Sequence, residues 1–284
     1  MSAAPLGRME TGVASSVRRE WAQRYGSWAI VTGASDGLGR AFAHRLAARG
    51  SSLVLVARRS SALNVLAEEL QVAHAIRCIV IPMDLGKPGS VAALDEQTGG
   101  LDIGLVVAAA GFGSIGPFLD QPLEDEADML AVNAAAVLRI AHVFGHRLRR
   151  RGRGGLVVFG SVVGFQGTPL SANYAATKAY VQSLAEALAI EWADDGIDVL
   201  SCAPGPVATG FAARAGMAMG KAADPSELVE PCFDALGRRT TIRPGGLAKL
   251  LGYGLMTLPR SIRTRVLHQG MRGMVPKGKS GVAP

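Results

Sequence analysis

The chain has 284 residues, enough for one or two domains, and its apolar fraction of 49% supplies a large core. Its three cysteines, Cys78, Cys202 and Cys232, follow neither metal-site nor disulfide spacing, which fits a reducing cytosol. We see no signal-peptide core and no uncharged apolar run of about 18 residues, so we expect a cytoplasmic protein without a membrane span or a metal. The net charge of +7 is uneven, because residues 235–284 contain Lys and Arg but neither Asp nor Glu.

Three segments are predicted along the chain. Residues 1–26 are polar and poorly periodic, and we expect a flexible lead-in in which Glu20–Tyr25 could pack on the body. Residues 27–244 alternate strands with helices, which predicts an α/β fold: a single Rossmann-type, doubly wound parallel sheet with helices on both faces. Residues 245–284 are predicted to form a basic, amphipathic C-terminal helical extension.

The first strand leads into a glycine-rich turn. Trp28–Val31 is followed by Thr32–Gly39, with the spacing T-G-x-x-x-G-x-G, and then by a helix from about Leu38 to Arg49. Glycines allow a backbone to approach an anion, and a helix N-terminus presents free N–H groups. This pattern favours dinucleotide binding over a plain strand–helix connection.

The second strand, Ser52–Ala57, is followed at once by Arg58 and Arg59. An NAD site usually has an acid here for the ribose 2′-hydroxyl, whereas an Arg accommodates a 2′-phosphate. The two arginines therefore favour NADP(H) over the alternative of two solvated side chains.

The alternation continues with strands at Cys78–Pro82 and Gly104–Ala108 and helices at 60–73 and 90–98. Asp84 follows the third strand, and the sequence leaves open whether it caps a helix or contacts adenine. A long helix is predicted over 124–151, and Asn133 lies within it among apolar neighbours, which indicates a placed amide.

A possible acid–base group lies in the next strand–helix unit. Ser161 ends the strand 155–160, and ligands bind outside the carboxyl ends of such strands. Tyr174 and Lys178 lie four residues apart in a helix that starts after Ser171, a predicted N-cap, so both point to one face. An ammonium beside a phenol lowers the phenol pKa and makes it a better acid–base group. The alternative is a half-buried Tyr beside a solvated Lys, which is the commoner meaning of this motif alone.

The last third of the chain is less regular. Residues 210–223 carry no strong element, and an apolar lid over the site competes with a poorly ordered loop; within the domain we place the lid at about 206–224. A helix is predicted over 225–236 and a short strand over 240–243. Helices at about 247–258 and 259–271 could pack on the body or a partner subunit, or contact anionic lipid at a membrane surface. Aromatic residues do not alternate with these charges, so nucleic acid is not an expected partner.

Taken together, these motifs resemble the short-chain dehydrogenase/reductase family from about Gly26 to Arg243. The resemblance rests on the glycine turn, Asn133, Ser161, Tyr174-x-x-x-Lys178 and Pro204-Gly205, five motifs in order. The run Tyr25–Gly37 is similar to the branch with long-chain 3-ketoacyl reductases and 17β-hydroxysteroid dehydrogenases.

The resemblance implies a role for each matched residue. Tyr174 would exchange a proton with the reacting oxygen, and Lys178 would lower its pKa and hold the nicotinamide ribose. Ser161 would hydrogen-bond the reacting oxygen, and Asn133 would fix a water near Lys178. The implied NADP(H) site also contains the following residues: Gly33, Ser35, Asp36, Gly37, Leu38, Arg58, Asp84, Ala110, Pro204, Gly205, Val207 and Thr209.

Two departures from the family pattern matter. Ala108-Ala109-Ala110-Gly111 replaces the usual Asn-Asn-Ala-Gly, so the side chains that brace the sheet are missing. Asp36 stands where NADP-preferring members often place a cation, which leaves Arg58 to select the 2′-phosphate.

The sequence thus predicts an NADPH-dependent carbonyl reductase for a large apolar substrate, a 3-ketoacyl chain before a steroid. Family members usually pair through the helices that carry Asn133 and Tyr174, so we expect a homodimer or homotetramer. Two alternatives stay open: a hydroxysteroid or other alcohol dehydrogenase, and a non-catalytic NADPH-binding module whose basic tail docks on membrane or protein.

Overall fold

The computed structural model describes residues 19–217 and 222–275. Its seven strands are β1 Trp28–Thr32, β2 Ser52–Ala57, β3 Cys78–Pro82, β4 Ile103–Ala108, β5 Gly154–Phe159, β6 Ile197–Cys202 and β7 Thr241–Ile242. All pair in parallel in the order β3-β2-β1-β4-β5-β6-β7. The order reverses between β1 and β4, and at this point open α/β sheets form a binding crevice.

Helices cover both faces of the sheet. One buried cluster joins α2 and α9 through Phe42 and Phe233, and the other joins α6 and α7 through Phe144 and Val181. The predicted doubly wound α/β fold is therefore confirmed. The helices are α1 (described residues 19–25), α2 Gly37–Ala48, α3 Ser60–His74, α4 Ser90–Gln97, α5 Leu123–Leu130, α6 Ala136–Arg151, α7 Ala172–Glu191, α8 Gly210–Ala215, α9 Pro225–Ala235, α10 Gly246–Met256 and α11 Arg260–Arg272.

The helical stretch Leu123–Arg151 contains α5, a single π-turn over Ala131–Ala135, and α6. The sequence predicts one continuous helix here, whereas in the structure a π-turn separates α5 from α6. In the described residues it alone is long and apolar enough to cross a membrane. Its apolar side, including Ile140 and Phe144, is buried against the sheet, so we interpret it as a core helix.

The described part of the N-terminal lead-in is docked on the body. Arg24 donates two hydrogen bonds to Asp198, at 2.7 and 2.6 Å, and the Tyr25 hydroxyl donates to the same carboxylate at 2.8 Å. The Trp21 indole donates to Ser51 Oγ at 3.0 Å. These contacts hold residues 19–26 against the core, which is the packing that the sequence left open for Glu20–Tyr25; residues 1–18 lie outside the described chain.

The segment after β6 also differs from expectation. Residues 210–215 form α8, where no element was predicted, because Thr209 Oγ1 caps its start by accepting from Phe211 N at 3.2 Å and Gly216 ends it at φ +64°. The predicted lid (206–224) and extension (245–284) are each described in part, since residues 218–221 and 276–284 lie outside the described chain.

Candidate active site

A cavity of about 710 Å³ lies at the carboxyl edge of the sheet. It reaches from the loops after β1 and β2, across those after β4, β5 and β6, to α8 and α11. Asn133 is not part of its wall, but every other predicted site residue lines it: Gly33, Ser35, Asp36, Gly37, Leu38, Arg58, Asp84, Ala110, Ser161, Tyr174, Lys178, Pro204, Gly205, Val207 and Thr209.

Ser161, Tyr174 and Lys178 converge at one wall of this cavity. Ser161 lies two residues after the end of β5, and its hydroxyl lies near enough to the phenol of Tyr174, which α7 presents from the other side, to influence the pKa of that phenol. Lys178, one turn further along α7, donates from Nζ to the carbonyl of Phe159 at 2.8 Å. Its Nζ lies 5.6 Å from the centre of the Tyr174 ring. The sequence predicted this convergence from the strand end and the helix spacing.

The protonation of the pair differs from the prediction. Burial raises the pKa of Tyr174 to about 12, although the nearby Ser161 hydroxyl partly opposes the shift. Burial also lowers the pKa of Lys178 to about 8. We predicted that Lys178 would lower the Tyr174 pKa, but here its Nζ is committed to the Phe159 carbonyl and desolvation dominates both groups.

Ser171 precedes α7 as predicted but does not cap it with its side chain. Its hydroxyl instead donates to the carbonyl of Ser114 at 3.0 Å. The start of the Tyr174 helix is thereby tied to the loop after β4.

Asn133 is buried in the π-turn and clamps the same loop. Its Oδ1 accepts from Phe112 N at 3.0 Å, and its Nδ2 donates to Phe112 O at 2.7 Å and to Thr177 Oγ1 at 3.2 Å. The amide therefore joins the backbone after β4 to the helix that carries Tyr174. The implied role of Asn133, fixing a water near Lys178, stays a prediction.

The missing asparagines of the loop after β4 are replaced by other contacts. Thr32 of β1 pairs with Ala108 of β4, and its Oγ1 accepts from Ala110 N at 3.1 Å. Together with the Asn133 clamp on Phe112, this bond braces the loop. The departure from Asn-Asn-Ala-Gly thus has a local structural substitute.

The glycine turn has the shape that a dinucleotide diphosphate requires. Gly33 and Gly37 have φ of +65° and +54°, which favours glycine, and a Cβ on Gly39 would lie 2.4 Å from the Gly33 carbonyl oxygen. Gly37, Leu38 and Gly39 at the start of α2 line the cavity, and the N–H groups of a first helical turn have no intrahelical partner. The residues present therefore fit a nicotinamide dinucleotide.

Asp36 has a structural role at this turn. Its Oδ1 accepts from Gly37 N at 2.7 Å and caps α2, while its Oδ2 accepts from Gly210 N at 3.1 Å at the start of α8. The carboxylate thus joins the glycine turn to α8, which gives a structural reason for an acidic residue where the family often has a cation.

Two guanidinium groups follow β2 at the cavity edge. Arg59 donates from Nη2 to Ser35 O at 3.0 Å and to Ser35 Oγ at 3.2 Å, so it braces the glycine turn. Arg59 is not among the predicted cofactor-site residues, although the pair of Arg58 and Arg59 predicts NADP(H) binding. Asp84, in the loop after β3, also lines the cavity. Its Oδ1 accepts from Gly86 N at 3.0 Å, so the side chain shapes a turn at the cavity wall.

Helix α8 contributes two side chains that were not among the predicted site residues, although Phe211 lies in the predicted apolar lid. The ring of Phe211 lies 5.3 Å from that of Tyr174, and it leaves no room for a Cβ at Gly113. Arg214 stacks on Phe112, with its Cζ 3.7 Å from the ring centre. Burial and the neighbouring Arg58 lower the pKa of Arg214. Only the tertiary position of α8 identifies these two residues.

Similarity to known proteins agrees with this geometry. A family model described as short chain dehydrogenase matches residues 27–219. A 7beta-hydroxysteroid dehydrogenase of Collinsella aerofaciens is 30% identical over 230 residues, which cover 78% of this chain and 88% of that protein. A very-long-chain 3-oxoacyl-CoA reductase of Neurospora crassa is 37% identical over 179 residues, 61% of this chain and 54% of the other.

Solved structures agree as well. A 7beta-hydroxysteroid dehydrogenase superposes with a TM-score of 0.80 at 28% identity, covering 87% of this chain and 98% of the other. A short-chain dehydrogenase from Sphingobium yanoikuyae in complex with NADPH gives 0.75 at 29% identity, with 89% and 98% covered. The chain therefore belongs to the short-chain dehydrogenase family of NAD(P)-dependent oxidoreductases.

Proposed function

We propose that the protein is an NADPH-dependent carbonyl reductase that acts on a ketone of a large apolar molecule, with a 3-ketoacyl chain as the first candidate. The observation that carries the proposal is the convergence of the Ser161 and Tyr174 hydroxyl groups beside Lys178 in one cavity wall. A hydroxyl pair of this kind can bind one carbonyl oxygen from two sides.

NADPH, when bound, supplies the hydride to the carbonyl carbon. Ser161 and Tyr174 hold the carbonyl oxygen by hydrogen bonds from their hydroxyl groups. Tyr174 then donates its proton to the oxygen as negative charge develops there. Because burial keeps the Tyr174 pKa near 12, the phenol is fully protonated at neutral pH. Lys178 supports the end of β5 through its hydrogen bond to Phe159, and its Nζ lies 5.6 Å from the centre of the Tyr174 ring.

We propose that Arg58, supported by Arg59, gives the site its preference for NADPH over NADH. Both line the cavity beyond the end of β2, where a 2′-phosphate would lie. We expect Arg58→Ala to raise the KM for NADPH about tenfold or more and to leave that for NADH unchanged, because a charge-assisted hydrogen bond is lost. Arg238→Ala, at the opposite edge of the sheet, is the matched control. Equal KM values for both cofactors in the wild type would overturn the preference.

The apolar substrate is proposed from the outer half of the cavity. Side chains from several elements line it there, including Phe112, Val163, Phe211, Leu267 and Met271. The test follows NADPH oxidation with long-chain 3-ketoacyl thioesters, with short soluble ketones as the comparison. Turnover confined to the short ketones would contradict the large apolar substrate.

A ketosteroid is the second candidate, and the reaction would then be that of a hydroxysteroid dehydrogenase. Similarity to the Collinsella aerofaciens enzyme over 78% of this chain favours it. The same assay with ketosteroids separates the two candidates. A non-catalytic NADPH-binding module is the less economical alternative, because binding alone gives no role to the Ser161–Tyr174 pair; it predicts cofactor binding without turnover of any carbonyl.

A homodimer or homotetramer is proposed to form through α6 and α7. A groove between these helices is lined by Leu138, His142 and Trp192 among others, and Leu138 and Ile190 are exposed by 45% and 74%. Apolar patches of this kind often mark subunit contacts. Light scattering of the Leu138→Glu variant should show a smaller assembly than the wild type, and an unchanged mass would exclude this face.

A further inference from the structure

The outer faces of α10 and α11 expose large apolar side chains. Leu250 is 71% exposed, Ile262 43% and Val266 46%. Ile262 and Val266 are four residues apart and so share one side of α11. Exposed apolar residues grouped on one surface usually mark a site of interaction.

The same surface is cationic. Lys249, Arg260, Arg265 and Arg272 are exposed on these two helices. Helices α10 and α11 together contain five Lys and Arg and neither Asp nor Glu. Two helices that carry exposed apolar and basic residues but no acidic ones suit binding to a lipid surface, which is anionic at its headgroups and apolar beneath them.

The inner faces of the same helices close the active-site cavity. Leu255 of α10 and Leu267 and Met271 of α11 line it, and Met271 is buried. Val266 belongs to the cavity wall and is also 46% exposed, so it stands at the cavity rim. Whatever the outer face contacts therefore lies next to an entrance of the cavity.

We propose that the α10–α11 surface docks on an anionic lipid bilayer and that the cavity opens towards this bilayer. Ile262, Val266 and Leu250 enter the interface, while the arginines remain at the headgroups. A cavity that opens towards the bilayer could take up an apolar substrate from it; this step rests on the proposed function, whereas the docking itself does not. A protein that docks through this surface is cytoplasmic and peripheral at the membrane.

Vesicle binding by the full-length protein tests the docking. Sedimentation with sucrose-loaded vesicles would compare phosphatidylcholine alone with phosphatidylcholine mixed with phosphatidylglycerol. We expect the wild type to sediment with the anionic vesicles only. The variant R260E/R265E/R272E should bind at least about 100-fold more weakly, because each basic side chain at an anionic surface contributes roughly a factor of five and the introduced carboxylates are repelled as well. The variant L250S/I262S/V266S should also lose binding.

The control is R238E/R239E, which reverses two arginines instead of three; both precede β7 and so lie at the opposite edge of the sheet. The affinity of R238E/R239E for anionic vesicles should lie much closer to that of the wild type than to that of R260E/R265E/R272E. Absence of wild-type binding, or an equal loss in the control, would overturn the proposal. A change of mass of L250S/I262S/V266S in sedimentation velocity would instead assign the surface to a second copy of the chain, and would also overturn it.

The turnover of a short water-soluble ketone by the charge-reversed variant separates the two proposals. We expect this turnover to equal that of the wild type, because the altered side chains face outwards. If neither protein reduces any carbonyl yet the wild type binds vesicles, the proposed reaction fails and the docking surface stands.

Discussion

The buried ammonium of Lys178 should make the stability of the protein depend on alkaline pH. Its side chain is 8% exposed, and burial lowers its pKa from 10.5 to about 8. Between these two values the unfolded chain holds a proton that the folded cofactor-free protein releases. The free energy of unfolding must therefore rise with pH in this window. We propose Lys178→Met as the perturbation, because it roughly keeps the length of the side chain and removes the titrating amine.

The size of the effect follows from the two pKa values. One pH unit inside the window is worth about 1.4 kcal/mol. Since titration is only half complete near pH 8, the gain between about pH 8 and pH 10 is roughly 2 kcal/mol. Tyr174 acts in the opposite sense above pH 10, because its pKa is raised from 10.0 to about 12 and the folded state then holds the extra proton.

Urea unfolding of the cofactor-free protein at a series of pH values from 7 to 10 measures this directly. We expect the wild type to gain stability relative to Lys178→Met as the pH rises. Lys249→Met, an exposed lysine on α10, is the control and should follow the wild type. If the difference between wild type and Lys178→Met stays constant across the series, Lys178 is not held as a desolvated amine and the reasoning is refuted.

Three further substitutions test the framework of the site. Asn133→Ala leaves both backbone groups of Phe112 without their buried partner, and urea unfolding should show a loss of about 2–5 kcal/mol; a loss below 1 kcal/mol would mean that the clamp is dispensable. Gly113→Ala brings a Cβ to 2.6 Å from Phe211 and 3.1 Å from Tyr174, so kcat should fall about tenfold or more. The double variant G113A/F211A should recover part of that rate, and a failure to recover would assign the loss to another cause. Asp36→Ala removes the cap of α2, which should lower the unfolding free energy by about 1 kcal/mol, and an unchanged urea midpoint would contradict the capping role.

The sequence predicted the part of the site that depends on local order. Ser161 ends a buried strand and Tyr174 and Lys178 share a helix face, so the geometry of a parallel sheet brings them to one edge. Arg58 was placed for the same reason, since it directly follows β2.

Other features depend on tertiary contacts that no local pattern encodes. Lys178 turns to the Phe159 carbonyl, and Thr32 rather than an asparagine braces Ala110. The helix α8 was missed because its Gly- and Ala-rich segment has little apolar periodicity, although Thr209 and Gly216 stand at its two ends. The docking of α1 likewise rests on Asp198, more than 170 positions away.

The central claim is that the Tyr174 hydroxyl gives its proton to a substrate carbonyl while Ser161 holds the same oxygen. Single-turnover oxidation of NADPH by a long-chain 3-ketoacyl thioester, compared between the wild type and Tyr174→Phe, tests it most directly. We predict that the rate falls about 100-fold or more, since general acid catalysis is lost, while the affinity for NADPH is unchanged. A Tyr174→Phe variant that reduces the thioester at nearly the wild-type rate would contradict the claim.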